Sequence, residues 1–137
     1  METLYTMKET CKKVDMTYEA LKFYCNEGLV PNVKRNKNNH RVFDERDINW
    51  IASLSCLKKC GMSIQEMKEY LALCLQGPDT IPERKIILEE KRNSLLEKIA
   101  ELNDSIDYID WKQQFYDDVL SGKRKYESNL IAVDAEE

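Results

Sequence analysis

Residues 17–31 read TYEALKFYCNEGLVP, and residues 33–43 continue as VKRNKNNHRVF. Thr17 suits a helix N-cap, Gly28 falls where a left-handed residue ends a helix cheaply, and Pro31 stands just beyond. Within the helix so bounded, Ala20, Leu21 and Tyr24 offer a packing side, while Thr17, Tyr18 and Lys22 carry donors suited to bases and phosphates. Only Val14-Asp15-Met16 separates this helix from a preceding short one, a link tight enough to hold the two at the steep angle of a helix-turn-helix. Downstream, Val33–Arg35 and Arg41–Phe43 are short β-prone runs around an Asn-rich tip, which predicts a hairpin because Asn tolerates positive φ. Lys34, Arg35, Lys37 and Arg41 lie on it beside aromatic Phe43, a composition suited to clamping a phosphate backbone.

The rest of the 137-residue chain agrees with that beginning. Charged residues make up 34% and the net charge is −4, but residues 1–62 carry 11 Lys and Arg against 8 Asp and Glu, whereas residues 63–137 carry 10 against 17. A basic front on an acidic chain points to a polyanion bound by the front alone. Thr6 with Glu9, Ser63 with Glu66 and Thr80 with Glu83 each fit a capping box, and Asp44 is a further cap. With Gly61, Gly77 and Gly122 as terminators, this punctuation predicts five helices, over 7–14, 18–27, 45–60, 64–76 and 81–121, and a mainly α fold. No apolar run spans a bilayer and the start has no apolar leader, so a cytoplasmic protein without membrane contact is expected. Five cysteines without a CxxC pair argue against a disulfide framework. No phosphate-cradling glycine loop or catalytic nucleophile motif is present, so no enzymatic activity and no cofactor are expected. The lone histidine, His40, falls at the exposed hairpin tip.

The string ALKFYCNEGLVP resembles the TLRYYExxGLLP signature of the MerR family of bacterial transcription regulators, and the resemblance continues without a gap through RNKNNHRVFDERD and CLKKCGMSIQEMKEYL. It covers roughly residues 4 to 76 and implies a winged helix-turn-helix head with a second wing from the third and fourth helices. It further implies binding as a dimer to double-stranded promoter DNA whose overlong spacer is distorted so that RNA polymerase engages both elements. Carried over by position, Thr17, Tyr18 and Lys22 fall on the recognition helix, Lys22 standing where the family usually has Arg. Tyr24 and Arg41 match residues that contact phosphate, Phe43 replaces the usual wing tyrosine, and Lys59 joins the expected DNA-facing set with Lys34, Arg35 and Lys37. Asn39-His40 stands in place of a Gly-aromatic pair, which Asn allows the turn to survive.

The last helix predicts the dimer independently. Leu88, Leu95, Leu102, Ile109 and Tyr116 repeat every seven residues, with Ile99, Ile106 and Leu120 interleaved, which is a heptad seam. About 40 residues make a rod of roughly 60 Å, too long to bury its seam on one small domain, so a second copy is the expected partner. The expected organisation is a DNA-binding head over residues 1–76, a dimerisation helix over 77–122 and a flexible tail over 123–137.

CLKKCGMS, residues 56–63, leaves three readings open. Cys56 and Cys60 are one turn apart: both are packed as small apolar side chains, or they join another cysteine in holding a metal, or one is a reactive thiol. DINWIASLSCLKKCGMSIQ resembles the aldehyde- and thiol-responsive branch of the family, which implies a sensor at Cys56, with Cys60 as a resolving partner or a bystander and with Lys58 and Lys59 favouring the thiolate. The family's metal-sensing members place cysteines near the start of the long helix and in a loop just after it, where this sequence has none beyond Cys74, so no metal is expected. Cys11 and Cys25 lie in the DNA-binding helices, where packing is expected. Two alternatives accompany this reading: a regulator with a non-covalent ligand such as a drug, and a coiled-coil adaptor that does not bind DNA.

Overall fold

The computed structural model describes residues 2–133. Its element order is β1 (Tyr5–Thr6), α1 (Met7–Val14), α2 (Tyr18–Asn26), β2 (Lys34–Arg35), β3 (Arg41–Phe43), α3 (Glu45–Lys59), α4 (Ile64–Leu75), a 3₁₀ turn (Pro78–Thr80) and α5 (Ile81–Leu120). The chain forms two compact units, Met1–Asn93 and Ser94–Glu137, so the first turns of α5 belong to the head's unit.

Capping chemistry sets the head's helix starts. At α1 the Glu9 amide donates to Thr6 Oγ1 (3.1 Å) and the Thr6 amide to Glu9 Oε1 (2.9 Å). Ser63 and Glu66 repeat the box at α4, Asp44 and Asp47 make a third at α3, and Thr17 caps α2 through the Ala20 amide. Asp15 (φ 55°) makes the sharp stop between α1 and α2, the job Gly28 (φ 78°) does after α2. Helices 2 to 5 end one residue earlier than expected, because Glu27, Cys60 and Gln76 serve as C-caps and α5 stops at Leu120.

The Thr80–Glu83 box does not form as expected. Thr80 is buried, with Oγ1 within hydrogen-bond distance of the Leu73 (2.5 Å) and Gly77 (3.0 Å) carbonyls and accepting from Arg84 Nε (3.0 Å). The intervening 3₁₀ turn directs this hydroxyl at the end of α4, so it closes the α4–α5 connection.

The hairpin forms with the expected tip, where Asn36 N donates to His40 O and Asn36 Oδ1 accepts the Asn38 and His40 amides. Asn39 takes φ 63° at the turn. A third strand, β1, was not foreseen: two residues carry no periodicity, and Tyr5 and Thr6 pair with Phe43 and Val42 to give the order β1-β3-β2. Leu21, Leu29, Phe43, Ile51, Leu54 and Met67 are fully buried and fuse α2, the sheet, α3 and α4 into one core. Ile87 packs on that core and Lys91 Nζ reaches Glu66 Oε2 (2.6 Å), which fixes the start of α5 to α4.

In the second unit α5 exposes Ile99, Leu102, Ile106, Ile109, Tyr116 and Leu120 of the heptad seam; Leu88, in the first unit, is exposed as well, and Leu95 is half-buried. Of the tail, residues 134–137 lie outside the described residues. Beyond Gly122 the chain turns back through Lys123 N to Asp118 O (2.8 Å), and Arg124 with residues 126–130 lines a cavity with the end of α5, where Phe115 is buried. Over this part of the stretch expected to be a flexible tail, Arg124 lies over the Phe115 ring at 4.7 Å and Tyr126 joins the cavity wall.

Candidate nucleic-acid interface

The recognition helix turns Leu21 and Tyr24 into the core and leaves Tyr18, Lys22 and Phe23 exposed, as a helix seated on one side requires. The Trp50 indole N–H donates to Leu29 O (2.7 Å), and Lys68 pairs with Glu27 (2.8 Å). The turn after α2 is thus anchored to α3 and to α4.

The wing meets the helix in a cleft of about 380 Å³ whose walls include Tyr18 on one side and Arg35, His40 and Arg41 on the other. Arg41 Nη2 donates to Asn26 Oδ1 (2.6 Å), which joins the wing to the end of α2, and Arg35 Nη1 donates to Asn39 O (2.9 Å), which braces the tip. Lys37 is exposed on the tip itself. Lys8, from the first turn of α1, lines the same cleft. Sequence reasoning missed it because one lysine on a charged amphipathic helix carries no signal of its direction. Asn26 was missed for a similar reason: its role is to aim Arg41.

Three expected DNA contacts have a different place. Phe43 is fully buried, so its ring cannot touch a phosphate; pairing with Tyr5 and packing on α3 make it a core residue, and its assignment as a DNA contact is corrected. Lys34 Nζ is held by Asp44 Oδ2 (2.9 Å), Asp47 Oδ2 (3.3 Å) and Asn32 O (3.1 Å), so its charge is already matched within the fold. The bond to Asp44 raises the lysine's pKa, and the same bond holds the Asp44 carboxyl well below the usual carboxylate range. Tyr24 is 4% exposed, and burial pushes its phenol up. Lys8, Lys22, Arg35, Lys37 and Arg41 are the cations of this face with no carboxylate bridge among the described residues, and Lys58 and Lys59 are exposed at the end of α3.

Cys56 is exposed on α3 and Cys60 half-buried as its C-cap, so the packed reading is corrected for Cys56. Cys11 and Cys25 both flank the core, and burial pushes both thiols up, which agrees with packing. Among the described residues no group of three His, Cys, Asp or Glu side chains could hold a metal ion, and no helix is long and apolar enough to cross a membrane.

A short-linked helix pair whose second member carries exposed donors, closed by a cationic wing, defines a winged helix-turn-helix DNA-binding protein. Residues 5–74 match the family described as MerR HTH family regulatory protein, and residues 50–111 match the one described as MerR, DNA binding. A helix-turn-helix transcriptional regulator of Haemophilus influenzae is 36% identical over 112 residues, 82% of this chain and 83% of that one. The regulator AdhR of Bacillus subtilis is 37% identical over 89 residues, 65% of this chain and 64% of AdhR. The crystal structure of HiNmlR, a MerR family regulator lacking the sensor domain and bound to promoter DNA, superposes with a TM-score of 0.72 at 34% identity, covering 87% of this chain and 94% of that one. The chain belongs to the MerR family and is a DNA-binding transcription regulator.

Proposed function

We propose that the regulator binds an inverted-repeat promoter as a homodimer joined through α5, distorts the DNA so that RNA polymerase engages it, and responds to electrophilic aldehydes or thiol stress through Cys56. The dimer rests on the apolar stripe of α5, which presents Ile99, Leu102, Ile106 and Ile109 to solvent in a single chain, an exposure that a second copy relieves. Two-fold symmetry then spaces two recognition helices on two half-sites.

The single observation that carries the sensor is the position of Cys56 on α3. It is exposed, and the same helix is bonded to the turn after α2 through Trp50 and Leu29, and to the wing through Asp44, Asp47 and Lys34. A covalent adduct on Cys56 that shifts α3 would move helix and wing together. The resemblance of DINWIASLSCLKKCGMSIQ to the aldehyde- and thiol-responsive branch supports the same residue. Cys60 stands one turn further, where a disulfide within one helix is awkward, so it is at most an accessory.

The test is transcription from a cognate promoter before and after a reactive aldehyde, with wild type and Cys56→Ser compared. Induction lost in the serine variant while operator binding persists supports the thiol sensor. An equal response in both overturns it and favours a non-covalent ligand; absence of any salt-dependent duplex binding would instead return the chain to a coiled-coil adaptor.

A further inference from the structure

The second unit contains a cavity that the DNA-binding role does not use. It lies between the last turns of α5 and the returning tail, has a volume of about 370 Å³, and is walled by Trp111, Phe115, Tyr116 and Tyr126 with Lys112 and Arg124. Trp111 and Phe115 are stacked, with centroids 6.0 Å apart and planes inclined by 17°. Of these rings only Phe115 is buried; Trp111 and Tyr126 remain 54% and 44% exposed, while Tyr116 belongs to the α5 stripe. Ser128 Oγ accepts the amides of Leu130 (3.1 Å) and Ile131 (3.3 Å), which gives the tail rim a defined turn.

The charges narrow the occupant. Lys112 Nζ sits 5.4 to 5.6 Å from the centroids of Trp111, Phe115 and Tyr116, and the Arg124 guanidinium lies 4.7 Å from the Phe115 centroid. The protein's own cations already take the ring positions that an ammonium ligand would need, so a cationic guest meets repulsion. Glu127 is the one acid in the lining and lies 3.6 Å from Arg124 in an exposed pair that water screens, so the two cations leave the lining net positive. A flat ring carrying an anionic group meets both needs: its face stacks on exposed aromatic surface, and its charge reaches Lys112 and Arg124. The volume suits a one- or two-ring molecule. We propose that this cavity is a binding site for a small planar aromatic anion, such as an aromatic carboxylate, separate from Cys56 and independent of it.

Isothermal titration calorimetry of the full chain with 2-naphthoate, against neutral 2-naphthylmethanol, tests the proposal. Naphthoate is expected to bind saturably at one per chain and about tenfold more tightly than the alcohol, the scale of a charge-assisted hydrogen bond. The Lys112→Gln and Arg124→Gln variants, checked for unchanged helix content, should lose that preference while keeping the alcohol's affinity, and Trp111→Ala should weaken both probes. Equal binding of the two probes, or a preference untouched by Arg124→Gln, would place them on the exposed α5 stripe and overturn the site. No saturable binding, together with a change of oligomeric state in Trp111→Ala, would assign the cavity to a second copy of the chain and overturn it as well.

Discussion

Replacing Asp44 isolates the junction between wing and α3. Its Oδ1 caps α3 by accepting the Asp47 amide at 2.8 Å, and its Oδ2 accepts from Lys34 at 2.9 Å, while Asp47 returns the box through the Asp44 amide at 3.0 Å. Loss of the cap costs about 1 kcal/mol. The ion pair adds on the order of 1 kcal/mol and no more, because the Lys34 side chain is 38% exposed and water screens it. Asp44→Ala should therefore lose about 2 kcal/mol, which in a head of this size lowers Tm by on the order of 10 °C. Asp44→Asn keeps an acceptor for the Asp47 amide and loses only the charge, so it should lose about half as much. The sign of the pH dependence follows from the lowered carboxyl. Its stabilisation is fully present above the unfolded value of about 3.9 and is lost as pH falls from there toward the native value. Chemical denaturation followed by circular dichroism from pH 7 to pH 3 should show the gap between wild type and Asp44→Asn closing as pH drops below about 4. A gap that stays constant down to pH 3 would refute the charge as its source.

Arg41→Ala removes one cation from the wing and frees Asn26; operator affinity should fall about tenfold, and the slope of log K against log salt should lose about one unit. An unchanged slope in electrophoretic or fluorescence titrations would place Arg41 away from phosphate. Phe43→Ala should cost about 3–5 kcal/mol, the range for emptying a core aromatic site, whereas a change under about 0.5 kcal/mol in denaturation would return Phe43 to the surface. Ile106→Lys places a charge on the α5 stripe in both copies; with burial of one such side chain worth about 1.5–3 kcal/mol, sedimentation equilibrium should show dimerisation weakened by on the order of 100-fold or more. A persisting dimer would move the seam elsewhere.

Legibility of this chain followed the range of each interaction. Capping boxes at Thr6 and Ser63, the cap at Asp44 and the turns at Gly28 and Asn39 are decided within four residues, and they formed as expected. Thr80 carries the same local signature, but Arg84 and two carbonyls behind it compete for its hydroxyl, and that competition is not written within the box. Chemical type predicted Phe43 and Lys34 as wing contacts, yet direction decides contact: strand pairing turned Phe43 inward, and two carboxylates 10 and 13 residues on claimed Lys34. Lys8 and the fold-back over Phe115 were invisible because each depends on a neighbour supplied by a different segment.

The interactions that escaped the sequence are also those that join the parts of the head to one another. A wing held only by its own hairpin bonds would move independently of the recognition helix. Arg41 with Asn26 ties wing to α2 directly, and α3 ties them again through Lys34 at its first turn and Trp50 near its middle. These ties are few and specific, so in the proposed sensor they would carry a shift of α3 to the wing and α2 together, and the end of α3 is where Cys56, Lys58 and Lys59 stand exposed. In a domain this small, a perturbation of about 1 kcal/mol at that end is comparable to any one of those ties.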